Sequence, residues 1–446
     1  MNDIKKIAKL SPSELSNSLH SFGIFNSISN DYIVVSSIGS LNNVYLYKNK
    51  YLELQSNFKY LNLFSRIEND KIILNTENKN KFQDLPTQIP EDQMSNDPPN
   101  KNNEWLLETI IDLRKYNMDG SDISNASIAS NYNIINACIF KKNKINIMIS
   151  SLHNNIPTFH ILEYNDNIIE LSNIIELDAS FSFSPNLASI CISDNFASFI
   201  LNKTYPNNLS NTYNTTVLFI YMKKDNKWDK IKEIPNEIFN DSIALSENNL
   251  IVGYNNYLVN NMPSVGVVYN LVNLKNQPFQ LVPLNYNNIN RCTKVSISKY
   301  TAVVCIEMKK YNKEEPSIII FKYNEKKWNQ VNVLYSNNMY DSCIAVICNN
   351  YILTRELVHN KVTNSFNTFI SLYNKKKDNE SKTQYQLIHT INQNSSIIDN
   401  TLYLFGISMD ISNKTFIIGV PNIYNTIEKD IKSMDNGYVY VYNIEL

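Results

Sequence analysis

The residues able to carry chemistry are scattered along the chain. The five histidines, His20, His153, His160, His359 and His389, form no His-Glu-x-x-His pair. Nor is there a His/Cys cluster spaced for zinc, which needs several ligands converging on one point. His153 and His160 come nearest, seven residues apart around Ile-Pro-Thr-Phe, on a loop and the strand after it. A metal pair there stands against two unrelated imidazoles, and the second reading is preferred. The six cysteines, Cys138, Cys191, Cys292, Cys305, Cys343 and Cys348, lie inside apolar runs without a Cys-x-x-Cys pair. They read as buried free thiols of a reducing compartment. No Gly-x-Ser-x-Gly, Gly-x-Gly-x-x-Gly or Walker sequence occurs, so neither a nucleophile elbow nor a phosphate-cradling loop is expected. Aspartate and glutamate total 42, and two of them could act together on a glycosidic bond. The fold alone decides which two face each other.

The elements that would position such groups are repeats. The chain from Leu404 reads LFGISMDISNKTFIIGVPN and ends in NGYVYVYNIEL. Degraded copies begin at 22, 61, about 133, 186, 239, 291, 340 and 405, and the intervals from 133 to 291 are 53, 53 and 52 residues. Five copies carry serine at one turn position: Ser29, Ser193, Ser246, Ser298 and Ser412. A serine before a tight turn is expected to hydrogen-bond the backbone beside it. Most copies continue into a third, alternating strand (from Val44, Thr216, Gly266, Ser317, Thr368 and Gly437) and then a fourth. All three tryptophans, Trp105, Trp228 and Trp328, open that fourth strand. They are expected to pack between neighbouring sheets rather than to bind a ligand.

Units of about 50 residues with four short strands are the size of a propeller blade. The expectation is one all-β domain over 1–446, a β-propeller of eight four-stranded blades, or of seven if the unit from 61 forms no blade. Ile4–Leu10, IKKIAKL, resembles the fourth strand Trp228–Ile234, WDKIKEI. It is expected to complete the last unit and close the ring, removing an exposed edge. Residues 77–104 are polar, Asn-rich and interrupted by Pro86, Pro90, Pro98 and Pro99. They read as a flexible insertion in the second repeat.

Six of the eight glycines sit at repeat positions, Gly23, Gly253, Gly266, Gly406, Gly419 and Gly437, with Phe22 and Phe405 opening the first and last units. With the Phe-Gly-x-Ser pattern, they make the chain resemble the FG-GAP repeats of integrin-alpha-like propellers. The resemblance is clear in the first and last units and faint between them. It implies blades, and in that family often a calcium loop of the Asp-x-Asp-x-Asp-Gly type. Here the nearest approach is Asn117, Asp119 and Asp122 in NMDGSD. It lies between units and lacks the leading acid, while calcium takes six to eight oxygens; it reads as a polar turn, and no cofactor is expected. Kelch repeats need adjacent glycines, which the chain lacks. WD40 repeats need a Gly-His that no unit supplies.

A net charge of −1 gives no global attraction to nucleic acid or to anionic lipid. No run of 18 apolar residues occurs, so no membrane span is expected. The amino terminus lacks the apolar core of a signal peptide, and a cytoplasmic location follows. The lysine runs at 141–144, 223–227, 309–313, 326–327 and 375–377 read as solvated turns, mostly after the third strand. The expected function is a non-catalytic binding or scaffold protein that recognises protein, with glycan as the second ligand class. The alternative is a glycan hydrolase or lyase with carboxylates in the central cup.

Overall fold

A computed structural model describes residues 4–11, 20–39, 43–49, 65–68, 71–74, 105–113, 132–165, 167–183, 189–205, 213–236, 239–254, 258–259, 262–284, 289–310, 313–324, 326–335, 343–360, 365–377, 383–394, 405–421 and 437–444. Strands rich in Ile, Val, Tyr and Phe alternate with turns, as half-buried sheets require. They form seven antiparallel blades in a ring. Strands a to d run outward from the axis in each blade.

Blade 1 joins His20–Ser29, Tyr32–Gly39, Val44–Asn49 and Trp105–Ile111, and blade 2 joins Tyr132–Lys141, Ile145–His153, Ile156–Asn165 and Ile168–Glu176. In blade 3 the pieces Phe181–Ser182 and Ile190–Ile192 share the inner place beside Phe196–Tyr205, followed by Tyr213–Lys224 and Lys227–Pro235. Blade 4 comprises Phe239–Ser246, Asn249–Tyr254, Gly266–Asn270 and Phe279–Leu281. Blade 5 comprises Ile289–Ser298, Thr301–Lys310, Lys313–Asn324 and Lys327–Tyr335. Blade 6 comprises Ile344–Cys348, Tyr351–Asn360, Ser365–Lys377 and Thr383–Asn394. Blade 7 takes Met409–Ser412, Thr415–Val420 and Tyr438–Ile444 from the end of the chain and Ile4–Leu10 from its start.

The ring therefore closes through the first strand, Ile4 pairing with Ile444 and Leu10 with Val439. Lys6 lays its ammonium 3.5 Å from the Tyr440 ring and Lys9 lies 4.1 Å from Tyr438. The eighth blade does not form. Among the described residues, the unit from 61 yields the hairpin Ser65–Glu68 and Lys71–Leu74, a two-stranded sheet that falls in sequence between strands c and d of blade 1. Trp105 belongs to the first blade instead, pairing with Asn49. The proposed insertion at 77–104 lies outside the described residues.

Six blades share one irregularity. Between strands c and d the register slips by one residue, leaving Glu108, Ser172, Ile231, Val331, Ile388 and Ile7 as the extra residue of a bulge. Such a bulge bends the outer strand and adds twist. Three residues before it stand Trp105, Trp228 and Trp328, and in blade 6 Tyr385. Each is buried and packs into the seam with the preceding blade. Trp228 also donates its Nε1–H to Ser172 Oγ of blade 2 at 3.2 Å.

Candidate functional site

The inner strands show what the repeated serines do. Only Ser193 bonds locally, its Oγ accepting from Phe196 N at 3.1 Å. The other four reach the next blade, which corrects the local reading. Ser29 Oγ accepts from Lys141 N, Ser246 from Lys299 N, Ser298 from Asn349 N and Ser412 from Asn30 N, all at 2.8–2.9 Å. Cys348 holds the serine position in blade 6, and its Sγ accepts from Asn413 N at 3.4 Å. Strand geometry brings alternate residues to one side, and the pattern repeats inward at steps of two. Ser296 accepts from Ile347 N, Asp410 from Ile28 N, Ser242 from Val295 N and Ser408 from Asn26 N. The inner edges, which have no further strand to pair with, are thus stitched blade to blade around the axis.

Asp410 is the one carboxylate among these stitches. Its Oδ2 accepts from Ile28 N and from Ser27 Oγ, both at 2.9 Å, and its Oδ1 from Ile411 N at 2.8 Å. Burial raises its pKa, opposed by those hydrogen bonds and by the Lys294 ammonium. Burial in turn pulls Lys294 below the ordinary lysine value. The central carboxylate thus faces an ammonium and three structural donors.

The glycines lie where the inner strands crowd. Gly23 has φ +84°, and a Cβ there would meet Tyr438 O at 2.9 Å. A Cβ on Gly419 would collide with Gly23 O across the same closing seam. Phe22 and Phe405 are fully buried. Asn117, Asp119 and Asp122 lie outside the described residues, and among those described no group of three His, Cys, Asp or Glu is placed to hold a metal. His160 is buried in strand c of blade 2, and burial, with His153 second, lowers its pKa to about 4. His153 Nδ1 lies 3.5 Å from Glu176 Oε1. All six cysteines are free, and burial raises the thiols of Cys138, Cys191, Cys292, Cys305 and Cys348. The lysine runs divide among three kinds of turn. Lys141–Lys144 joins strands a and b of blade 2, and Lys309–Lys313 joins b and c of blade 5, whereas 223–227, 326–327 and 375–377 adjoin c–d turns.

A surface cleft of about 590 Å³ opens at the seam of blades 2 and 3. Its acids come from separate places: Glu176 and Asp178 from the end of blade 2 and the connection after it, Glu233 from strand d of blade 3. Lys203 and Lys230 face them. Beneath lie Phe181 and Phe219, 6% and 1% exposed, with Lys203 Nζ 4.8 Å from the first ring and Lys230 Nζ 5.8 Å from the second. Every acid is engaged. Glu233 pairs with Lys230 at 2.8 Å, Glu176 with His153, and Asp178 accepts from Ser180 N at 2.8 Å and from Ser180 Oγ. The Ser180 bonds hold the Asp178 carboxyl below the ordinary aspartate value. No sequence spacing announces this site, because four separate stretches between Glu176 and Glu233 come together to build it.

No protein-family profile and no curated protein matches the chain. Among solved structures, it aligns with the WD40 domain of SCAP from fission yeast at 11% identity, covering 100% of this chain and 98% of that one with a TM-score of 0.42. An oligogalacturonate lyase from Vibrio parahaemolyticus aligns at 8% identity, 99% and 98% coverage and a TM-score of 0.44. The β-propeller domain of the Trilobed protease from Pyrococcus furiosus aligns at 11% identity, 69% and 98% coverage and a TM-score of 0.33.

Proposed function

We propose that this chain is a non-catalytic recognition module, an FG-GAP-like propeller working in the cytoplasm, and that the cleft between blades 2 and 3 takes a segment of a protein partner. The observation that carries this reading is the state of the cleft's acids. General-acid catalysis on a glycosidic bond wants one carboxyl with a raised pKa that holds its proton. The Ser180 bonds instead hold the Asp178 carboxyl below the ordinary aspartate value, Glu233 is paired with Lys230, and Glu176 lies beside the His153 ring. Fixed charges of both signs around a concave floor suit polar recognition. Glycan stacking finds no free ring, since Phe181 and Phe219 are buried under lysine ammoniums.

The test is cross-linking of the full chain in its source cell, wild type beside E176K/D178K, with a glycan-turnover screen of both. A partner cross-linked through residues 176–178, and lost with the variant, supports the reading. Turnover of a polysaccharide by wild type that the variant abolishes would overturn it.

A further inference from the structure

The cleft is not the only surface feature without a structural role. Strands a and b, and strands c and d, are joined on the same side of the ring. In six blades an amide at the end of strand c donates to the a–b turn, as Leu271 N does to Asn248 O and Tyr323 N to Tyr300 O, both 2.8 Å. In blades 4 and 5 these turns project two apolar side chains, Val272, 71% exposed, and Tyr300, 61% exposed. Four exposed lysines lie in the turns of the same two blades: Lys275 in the c–d turn of blade 4, Lys299 in the a–b turn of blade 5, and Lys326 and Lys327 at its c–d turn. The sector is continuous. Phe279 of blade 4 meets Tyr323 edge-on at 5.5 Å, Tyr323 stacks on Tyr300 at 6.2 Å, and Asn249 Nδ2 donates to Lys299 O at 3.3 Å. None of the four lysines has an ion-pair partner among the described residues. The acid of the neighbouring turn, Glu247, is paired with Lys142 at 3.4 Å.

We infer that this sector docks on an anionic lipid surface. Lysines near a negatively charged leaflet are attracted to its surface potential. Tyrosine suits the interface, with its ring among acyl chains and its hydroxyl in water, and an aliphatic tip gains by leaving water. The sector is built from projecting turn tips, a shape that meets a plane more readily than it clasps a strand. Single-stranded nucleic acid would use the lysines and stack on Tyr300, but gives Val272 nothing to bury against. The near-zero net charge does not reveal this arrangement, because a chain-wide sum averages over local groupings of like charge.

The experiment is co-sedimentation of the full chain with phosphatidylcholine vesicles, with and without phosphatidylserine. Binding is expected only to the anionic vesicles. It should fall by roughly tenfold or more in K275E/K299E/K326E/K327E. It should weaken steeply as salt rises from about 0.1 to about 1 M, where the screening length shrinks from roughly 10 to 3 Å. V272S/Y300S should lower it several-fold with an unchanged melting temperature, which shows that insertion as well as charge contributes. Failure to bind, equal binding to neutral vesicles, or wild-type binding by the lysine variant would each overturn the inference. So would capture of a single-stranded oligonucleotide through the same lysines without vesicle binding. None of these outcomes bears on the cleft, which lies on a different seam.

Discussion

The seam between blades 7 and 1 and the seam between blades 2 and 3 solve one problem in opposite ways. At the first, Ser408, Asp410 and Ser412 each accept a backbone amide of the next inner strand, over an apolar layer that includes Phe22, Tyr45, Trp105, Ile417 and Val439. At the second, Phe140 stands where the stitching serine would be, and no such bond forms among the described residues; Asn143 and Asn146 hold the Asp194 carboxylate instead, at 3.3 and 3.4 Å. The seam is filled by rings: Phe159 stacks on Phe199 at 3.7 Å, and Phe199 stacks on Phe219 at 4.9 Å and on Tyr221 at 5.7 Å. The polar seam joins the two chain ends, where backbone must be aligned strand by strand. The aromatic seam lies mid-chain and is free to carry the cleft. Register-specifying bonds are thus most numerous at the closing seam; one or two such stitches span the seams of blades 1 and 2, 4 and 5, 5 and 6, and 6 and 7, whereas the seam of blades 2 and 3 relies on apolar packing.

The largest break in this comparison is removal of the closing strand. Deleting residues 1–12 strips Ile4–Leu10 from Tyr438–Ile444 and leaves an open edge. The unfolding midpoint is expected to fall by more than about 10 °C, an amount equal to several kcal/mol for a domain of this kind. An unchanged midpoint by calorimetry would sink the closure argument. Next comes Phe199→Ala at the aromatic seam, expected to cost roughly 3–5 kcal/mol in urea unfolding. A cost below about 1 kcal/mol would mean that the stack is replaceable.

Much of this fold is legible in the chain. The Phe-Gly-x-Ser pattern, the tryptophan positions and the likeness of Ile4–Leu10 to a fourth strand follow from local spacing, and local spacing survives drift. The unit from 61 misleads because a hairpin has the same alternation as half a blade. Tyr385 fills the tryptophan place in blade 6 and goes unnoticed because aromatic abundance hides a single substitution. The serines are visible, but not their partners, since the next blade's amide lies from 51 to 382 residues away in sequence. The cleft is invisible for the same reason: Asp178 and Glu233 meet only once two blades are in place.

A smaller test separates the serines. Ser412→Ala leaves Asn30 N without its acceptor across the closing seam, and Ser29→Ala does the same to Lys141 N across the seam of blades 1 and 2. Each is expected to cost about 1–2 kcal/mol, as for a partly buried amide left unpaired. Ser193→Ala breaks only a local turn bond and is expected to cost less than about 1 kcal/mol. Equal losses for all three would remove the distinction between stitching and turn serines.

The smallest effect is a slope with pH. Burial raises the Asp410 carboxyl above its ordinary 3.8, so the folded ring holds this proton more tightly than the unfolded chain. Its contribution to stability is then fully present below the ordinary aspartate value. It declines as pH rises through the raised folded value, and is flat beyond. Asp410→Ser copies the serine that blade 5 uses at the matching step, Ser296, and has nothing to titrate. Urea unfolding across acid to neutral pH should show wild type gaining on D410S towards low pH. Phe199→Ala, measured alongside, should show a constant offset from wild type. If wild type instead gains on D410S as pH rises, the bonds from Ile28, Ser27 and Ile411 outweigh burial, and the polar seam is stabilised by a carboxylate rather than tolerating one.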